Sequence, residues 1–387
     1  MSSRSKTPFL IALIVIIIIA IVLLVVFYPS LITTSAGPPS NTPAKNNSPI
    51  QTNPNPAPSG SINPSNSANA SVSGLPIPSS CGLLRVFIIN VSQADAILII
   101  TPSNRTIMID SGSAMKKNSS TNAIAFLKKM GVARIDYLIA THYHEDHIGG
   151  MSGLFKDFDI GTVYDNGNCG NYSSVTAVSF QGYALSHDFI HVRSDMDMPA
   201  DSCLQDAKLI VAYDRPEGCW NSNKDTSNEN DNSILLRLAY GNTSFLFTGD
   251  CEADCEAELL KQGAYLRSDF LKVGHHGSAT SSTQPFLDAV GAEYFAISTD
   301  KARSVTDGYY HPRQASLSNI FAHDSSALDA SHTFRTDLEG DISAISDGSS
   351  IKGSASAKAD ACQIFSGYSS SDISSYAPIA PMAGSCG

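Results

Sequence analysis

Thr141-His142-Tyr143-His144-Glu145-Asp146-His147 places three imidazoles and two carboxylates in six consecutive positions, directly after the mostly apolar run Ile135 to Ala140. Imidazole and carboxylate are the usual ligands of Zn²⁺ and related divalent ions. The run reads as a strand that hands over to a helix through a ligand-bearing turn. In extended chain the side chains alternate, so His142 and His144 face the same side. The turn that follows swings Asp146 and His147 toward a second position, a few ångströms away. The chain has ten histidines and three share this turn, which disfavours a merely polar loop.

Two further clusters follow apolar strands. Phe245-Leu246-Phe247-Thr248-Gly249-Asp250 ends in a carboxylate, and Leu271-Lys272-Val273-Gly274-His275-His276-Gly277-Ser278 ends in paired histidines. A Gly-Asp pair by itself signals nothing. All three clusters in this order, about 100 and then about 25 residues apart, form a strong pattern. Ligands delivered from several strand ends are what a rigid metal site requires.

Around them, Leu84 to Ile89, Ala96 to Thr101 and Thr106 to Ile109 read as a meander, with turns at Ser92-Gln93 and Ser103-Asn104. A helix is expected from about Asn122 to Met130, closed by Gly131. Residues Ile160 to Trp220 read as loops and short elements, with one strand near Leu209 to Ala212. A second strand-rich block follows, with strands at Ile234 to Ala239, Thr243 to Thr248, Phe270 to Val273 and Tyr294 to Ser298. It also holds a helix from Glu252 to Leu260, then Thr333 and Asp341 to Ile345. Two strand-rich halves, each followed by helices, suggest two facing sheets with helices packed outside.

The ends differ from this body. Arg4 and Lys6 precede an apolar run from Phe9 to Tyr28, long enough to span a bilayer. A secretory signal would have a shorter apolar region and a small-residue cleavage site, whereas this run ends in Phe27-Tyr28-Pro29. The expectation is therefore a cytoplasmic N-terminus at 1–8, an uncleaved single-pass anchor at 9–28 and everything after it outside the cytoplasm. Residues 29–79 are dominated by Ser, Asn, Pro and Ala and read as a disordered linker. Residues 80–353 form the folded body, and 354–387 a Ser-rich tail carrying Cys362 and Cys386.

All eight cysteines follow the linker, and outside the cytoplasm they suggest disulfides. Cys251 and Cys255, one turn apart in the expected helix, are read as reaching different partners. Seven Asn-x-Ser/Thr tripeptides (at Asn46, Asn69, Asn90, Asn104, Asn118, Asn171 and Asn242) fit an exported chain but arise easily by chance here. A net charge of −11 speaks against loose binding to a nucleic acid backbone. It does not exclude nucleic acid as substrate, because bound cations supply local positive charge.

On these motifs the chain resembles the metallo-β-lactamase superfamily, and more closely the soluble hydrolase domain of ComEC-type competence proteins. The likeness runs across most of residues 83–352. It includes Val91-Ser92-Gln93-Ala94-Asp95-Ala96 (the family favours Gly at the Ala94 position), Met108-Ile109-Asp110-Ser111-Gly112 and Asn230-Asp231-Asn232-Ser233. Tyr310-His311-Pro312 and Arg335-Thr336…Gly340-Asp341-Ile342 also fit.

The resemblance implies a four-layer αββα sandwich with two divalent cations at one edge, Zn²⁺ first and Mn²⁺ as the alternative. It implies His142 and His144 on the first ion, Asp146 and His147 on the second, and Asp250 between them. His275 completes the second site, with His276 as the other candidate. Asp110 would orient the histidine loop, and Asn232 and His311 are further candidates near the cleft. A third histidine for the first ion has no match. His187 and His191 lie in the right interval but outside any motif and read as ordinary imidazoles.

Cations of this kind bring the pKa of water from about 15.7 to about 7, so the reaction class is hydrolysis, with Asp146 and His147 as its catalytic residues. The expectation is an anchored phosphodiesterase or nuclease, related to DNA uptake or nucleic-acid degradation. ComEC proteins form a DNA channel, which one apolar span cannot make, so a separate channel protein would be a partner. The alternatives are a lactam, lactone or thioester hydrolase, or a non-catalytic metal-binding surface protein. The sequence does not bear on oligomeric state.

Overall fold

The computed structural model describes residues 79–115, 118–168, 172–212, 229–300, 311–323 and 332–357. The expected membrane span at 9–28, the linker up to residue 78 and the tail beyond 357 lie outside them. So do Cys169, Cys219, Cys362 and Cys386. Among the described residues no helix is long and apolar enough to cross a membrane.

Two sheets carry the fold. Numbered in chain order, the first contains β1 (Leu84–Ile88), β2 (Ile97–Ile100), β3 (Thr106–Ile109), β4 (Arg134–Ile139), β5 (Asp159–Asp165), β6 (Asp188–His191), β14 (Ile342–Ser346) and β15 (Ile351–Ala355). Its strand order is β15-β14-β1-β2-β3-β4-β5-β6. The second contains β7 (Met196–Asp197), β8 (Asp206–Ile210), β9 (Leu235–Tyr240), β10 (Thr243–Phe247), β11 (Phe270–Lys272), β12 (Tyr294–Ile297) and β13 (Thr333–Arg335). Its order is β13-β12-β11-β10-β9-β8-β7. Strands β3 to β6 run parallel, as do β10 to β13. Parallel strands send their carboxyl ends to one edge, where ligand sites of α/β sheets form.

Apolar side chains from both sheets meet between them: Val86, Ile99, Ile107 and Ile139 from the first, and Leu236, Leu238, Phe245 and Phe270 from the second. Outside the first sheet pack α1 (Ser119–Lys129), α3 (Met151–Asp157) and α4 (Val175–Ala184), through Leu127, Leu154 and Phe180. The short α2 (Glu145–Ile148) continues the histidine turn. Outside the second sheet pack α5 (Ala253–Gln262), α6 (Gln284–Val290) and α7 (Gln314–His323), through Leu259, Phe286 and Leu317. With the short α8 (Thr336–Glu339) the result is four layers, helix–sheet–sheet–helix.

Several expectations need correction. The stretch from Ile160 to Trp220 holds more than the one strand expected: its described residues supply β5 to β8 and α4. Helix α4 buries Ala177, Phe180 and Ala184 yet leaves Val175 and Val178 exposed, so it has no clean amphipathic stripe to read. Ile342–Ser346, grouped above with the second half, pairs antiparallel with β1 and so belongs to the first sheet. Strand β15 carries order through Ala355, past the boundary set at 353.

The cysteines also correct the reading. Cys81 bonds Cys203, across 122 residues of chain. Cys251 bonds Cys255, contrary to expectation. The physical reason is that Cys251 precedes the helix: Glu252 is extended (φ −104°, ψ −173°), and α5 begins only at Ala253. The two Cα atoms stand 5.5 Å apart, within disulfide range.

Candidate metal centre

Each cluster found in the sequence arrives at the same edge from a different strand. Asp110 ends β3, His142 to His147 follow β4, Asp250 follows β10, and His275-His276 follow β11. The turn before Asp250 needs its glycine. Gly249 has φ +52°, and a Cβ there would lie 3.0 Å from both Ser233 Oγ and Thr141 Cβ.

Four imidazoles have one nitrogen held from outside, which leaves the other facing inward. His142 Nδ1 lies 3.1 Å from Thr141 Oγ1 and 3.5 Å from Ser233 Oγ. His144 Nε2 lies 2.9 Å from the Tyr172 hydroxyl. His147 Nδ1 is 2.7 Å from Asp110 Oδ2. His276 Nδ1 donates to the Ser298 carbonyl at 3.0 Å. On the inner side, His142 Nε2 and His144 Nδ1 are 3.1 Å apart.

The inner nitrogens of three of these rings gather round one carboxylate oxygen. Asp250 Oδ2 is 3.1 Å from His147 Nε2, 3.6 Å from His276 Nε2 and 4.0 Å from His142 Nε2. Asp146 Oδ2 stands 3.6 Å from His276 Nε2. His147 Nε2, His276 Nε2 and Asp250 Oδ1 are nonetheless buried without a hydrogen-bond partner. Lone pairs that converge on a common point without bonding each other are the donor set of a cation. The groups His142–His147–Asp250 and Asp146–His147–His276 each lie within 4.8 Å, so these residues fit divalent ions.

The two neighbouring histidines play different parts. Both have positive φ (43° and 54°), a tight turn that sends consecutive rings in different directions. His276 is buried and faces Asp146 and Asp250. His275 is more open: its Nδ1 pairs with Glu252 Oε1 at 2.5 Å, and its Nε2 is 3.9 Å from Asp250 Oδ2.

Charge in the cluster is strongly coupled. Burial would depress His147, but Asp250 and Asp110 outweigh it and hold the imidazolium well above its usual value. Burial would raise Asp250, yet His147, His276 and His275 hold it well below the carboxylate range. Asp146 is likewise lowered despite burial, chiefly by His276 and His147. Burial pushes His142 well down, so it is neutral, as a ligand must be. A cation taking His147 Nε2 has to displace a proton.

Further side chains hold these ligands from outside, and of them Glu229 lies in no motif. Asp110 Oδ1 accepts from Thr141 N at 2.8 Å and so fixes the start of the histidine turn. Glu229 accepts from Tyr143 N (3.1 Å), Asn166 Nδ2 (2.7 Å) and Asn232 Nδ2 (3.3 Å). This leaves the buried Asn232 Oδ1 without a partner. Lys272 and Asp95 form a buried ion pair at 2.8 Å behind His276. A lysine inside the apolar run Phe270 to Val273 was a readable signal for such a pair. His187 and His191 stay apart: His187 binds Ser186 and Tyr183, and His191 Nδ1 meets Asp165 at 2.5 Å.

A two-sheet α/β body with imidazoles and carboxylates gathered past its strand ends is that of a metal-dependent hydrolase. The family model for the Metallo-beta-lactamase superfamily matches residues 89–299, and the chain belongs to that superfamily. It is 29% identical over 244 residues to Competence protein ComA of Neisseria gonorrhoeae, covering 63% of this chain and 30% of that protein. It is 26% identical over 275 residues to ComE operon protein 3 of Bacillus subtilis (strain 168), covering 66% and 32%. The chain thus spans about a third of the length of these curated relatives. Among solved structures, the metallo-beta-lactamase fold protein YhfI from Bacillus subtilis aligns with a TM-score of 0.38, 11% identity and coverage of 65% and 96%.

Proposed function

We propose that the chain is a dinuclear phosphodiesterase of the nuclease type, held outside the cytoplasm by the apolar segment at 9–28 and acting on nucleic acid. One observation carries the catalytic reading: the inward nitrogens of His142, His147 and His276 collect around Asp250 Oδ2 with their outer nitrogens already engaged, and Asp146 stands 3.6 Å from His276 Nε2. The substrate class draws its support from the competence proteins to which the chain is similar. A separate channel protein remains the proposed partner, with support from the competence proteins to which the chain is similar.

In this reading His142, His144 and Asp250 hold one ion, and Asp146, His147, His276 and Asp250 the other. His276 takes the place given above to His275, because it is the ring that faces Asp146. Bound Zn²⁺ or Mn²⁺ would supply acidified water and positive charge opposite a phosphoryl oxygen. Asp146 stays ionised and is placed to orient the attacking water or receive its proton. His275, backed by Glu252, stays partly exposed beside the cluster.

The test is turnover of DNA, RNA, a bis-aryl phosphate and a chromogenic lactam by the full chain loaded with Zn²⁺ or Mn²⁺. The control is the Asp146→Ala, His147→Ala double variant. Phosphodiester turnover that the control lacks is the expected result. Lactam turnover alone would reverse the reading, and bound metal with every substrate intact would leave a surface protein. A second expectation concerns Tyr172, whose hydroxyl fixes which nitrogen His144 turns inward. Tyr172→Phe should lower metal affinity about 10- to 100-fold by chelator competition, with the melting temperature unchanged. Unchanged affinity would remove Tyr172 from the site.

A further inference from the structure

His311 is only 4% exposed, yet neither of its ring nitrogens has a hydrogen-bond partner. Buried imidazoles normally satisfy at least one nitrogen, and leaving both unmade costs stability. Its backbone is fixed from two sides. Thr299 Oγ1 donates to the His311 carbonyl at 2.6 Å, and Arg313 N donates to the Gly277 carbonyl at 2.7 Å. Gly277 has φ +81°, and a Cβ there would lie 2.8 Å from Pro312 Cβ, so the two turns are locked together.

That lock sets the His311 ring 5.2 Å from the His275 ring and 6.5 Å from the His276 ring. It therefore borders the cluster beside His275, the less buried of the paired histidines. Among the described residues it forms no close pair with a carboxylate, as His142, His147 and His276 do with Asp250. A neutral imidazole offers one N–H donor and one acceptor.

We propose that His311 is a substrate-binding residue whose N–H donates to a non-bridging phosphoryl oxygen of the phosphodiester. This deepens the phosphodiesterase reading and rests on it. The rigid mounting suits the role, because a donor already held in place loses little freedom when substrate arrives. The same mounting explains how an unsatisfied imidazole persists in a folded chain.

The experiment compares the full chain with His311→Phe and His311→Gln, all metal-loaded. Inorganic phosphate is titrated calorimetrically, and KM and kcat are measured on a bis-aryl phosphate. His311→Phe should keep the metal content and the melting temperature while weakening phosphate about 10- to 100-fold and raising KM in step. His311→Gln, which retains an N–H donor, should recover part of that loss. Metal lost from His311→Phe at an unchanged melting temperature would make His311 a ligand and overturn the inference. Unchanged phosphate affinity and KM would make it a packing residue, and phosphate that fails to bind the wild-type chain would also overturn it. The phosphodiesterase reading fails by a different sign: phosphate binds, but no phosphodiester is turned over.

Discussion

Asp250→Ala should lower phosphodiester turnover by about 10³-fold or more and take metal content down with it. The size follows from position. Asp250 Oδ2 is the one atom shared by His142, His147, His275 and His276, at 3.1 to 4.0 Å. Changing an outer partner such as Tyr172 retunes one ligand, for which about 10- to 100-fold is usual. Removing the shared carboxylate takes an anionic ligand from both proposed ions at once. Residues that act as a unit lose nearly everything when one goes. Asp250→Asn separates charge from shape: it keeps an oxygen and the volume, so the fold should survive while metal affinity still falls. Metal analysis, chelator competition and steady-state rates check both variants. Full metal content and full activity in Asp250→Ala would sink the proposed centre.

The same convergence explains what was legible in the sequence. Strand ends that carry ligands announce themselves, because an apolar run must stop where polar chemistry begins. His142 to His147, Asp250 and His275-His276 all stand at such stops, and so did the strands that deliver them. What failed to show was set by tertiary contact. Alternation cannot say which of His275 and His276 turns inward, because two consecutive left-handed residues break the strand rule. Helix α4 hides because apolar residues lie on both its faces, and β14 because nothing local says which sheet it joins. Glu229 and Tyr172 belong to no motif, and their importance lies in the partners they meet across the fold. Cys251–Cys255 was misread for a local reason, a helix start placed too early.

Lys272→Met should destabilise the protein by about 3–5 kcal/mol, with metal left bound. The ammonium of Lys272 and the carboxylate of Asp95 are 2.8 Å apart, with side chains 0% and 1% exposed. Lys272 also donates to the Val273 carbonyl at 2.9 Å, on the backbone that leads to His275 and His276. A buried pair of this kind adds little over an apolar pair of equal volume, since both charges have left water. Removing one partner is different, because the other charge is stranded. Asp95 would then share a dry space with Asp110 and Asp250 and have lost its own cationic partner. The double variant Lys272→Met, Asp95→Asn removes both charges and should regain most of the loss. Denaturant melts of the four proteins in the double-mutant cycle give the coupling directly. Methionine fills the lysine's stem volume, so a cavity cannot imitate the effect. If Lys272→Met melts like the parent, the pair is spectator chemistry; if the double variant is no better than the single, packing rather than charge sets the cost. The expected outcome makes Lys272 and Asp95 a pair that stabilises the fold behind His276 without setting how the ligands in front of it hold metal.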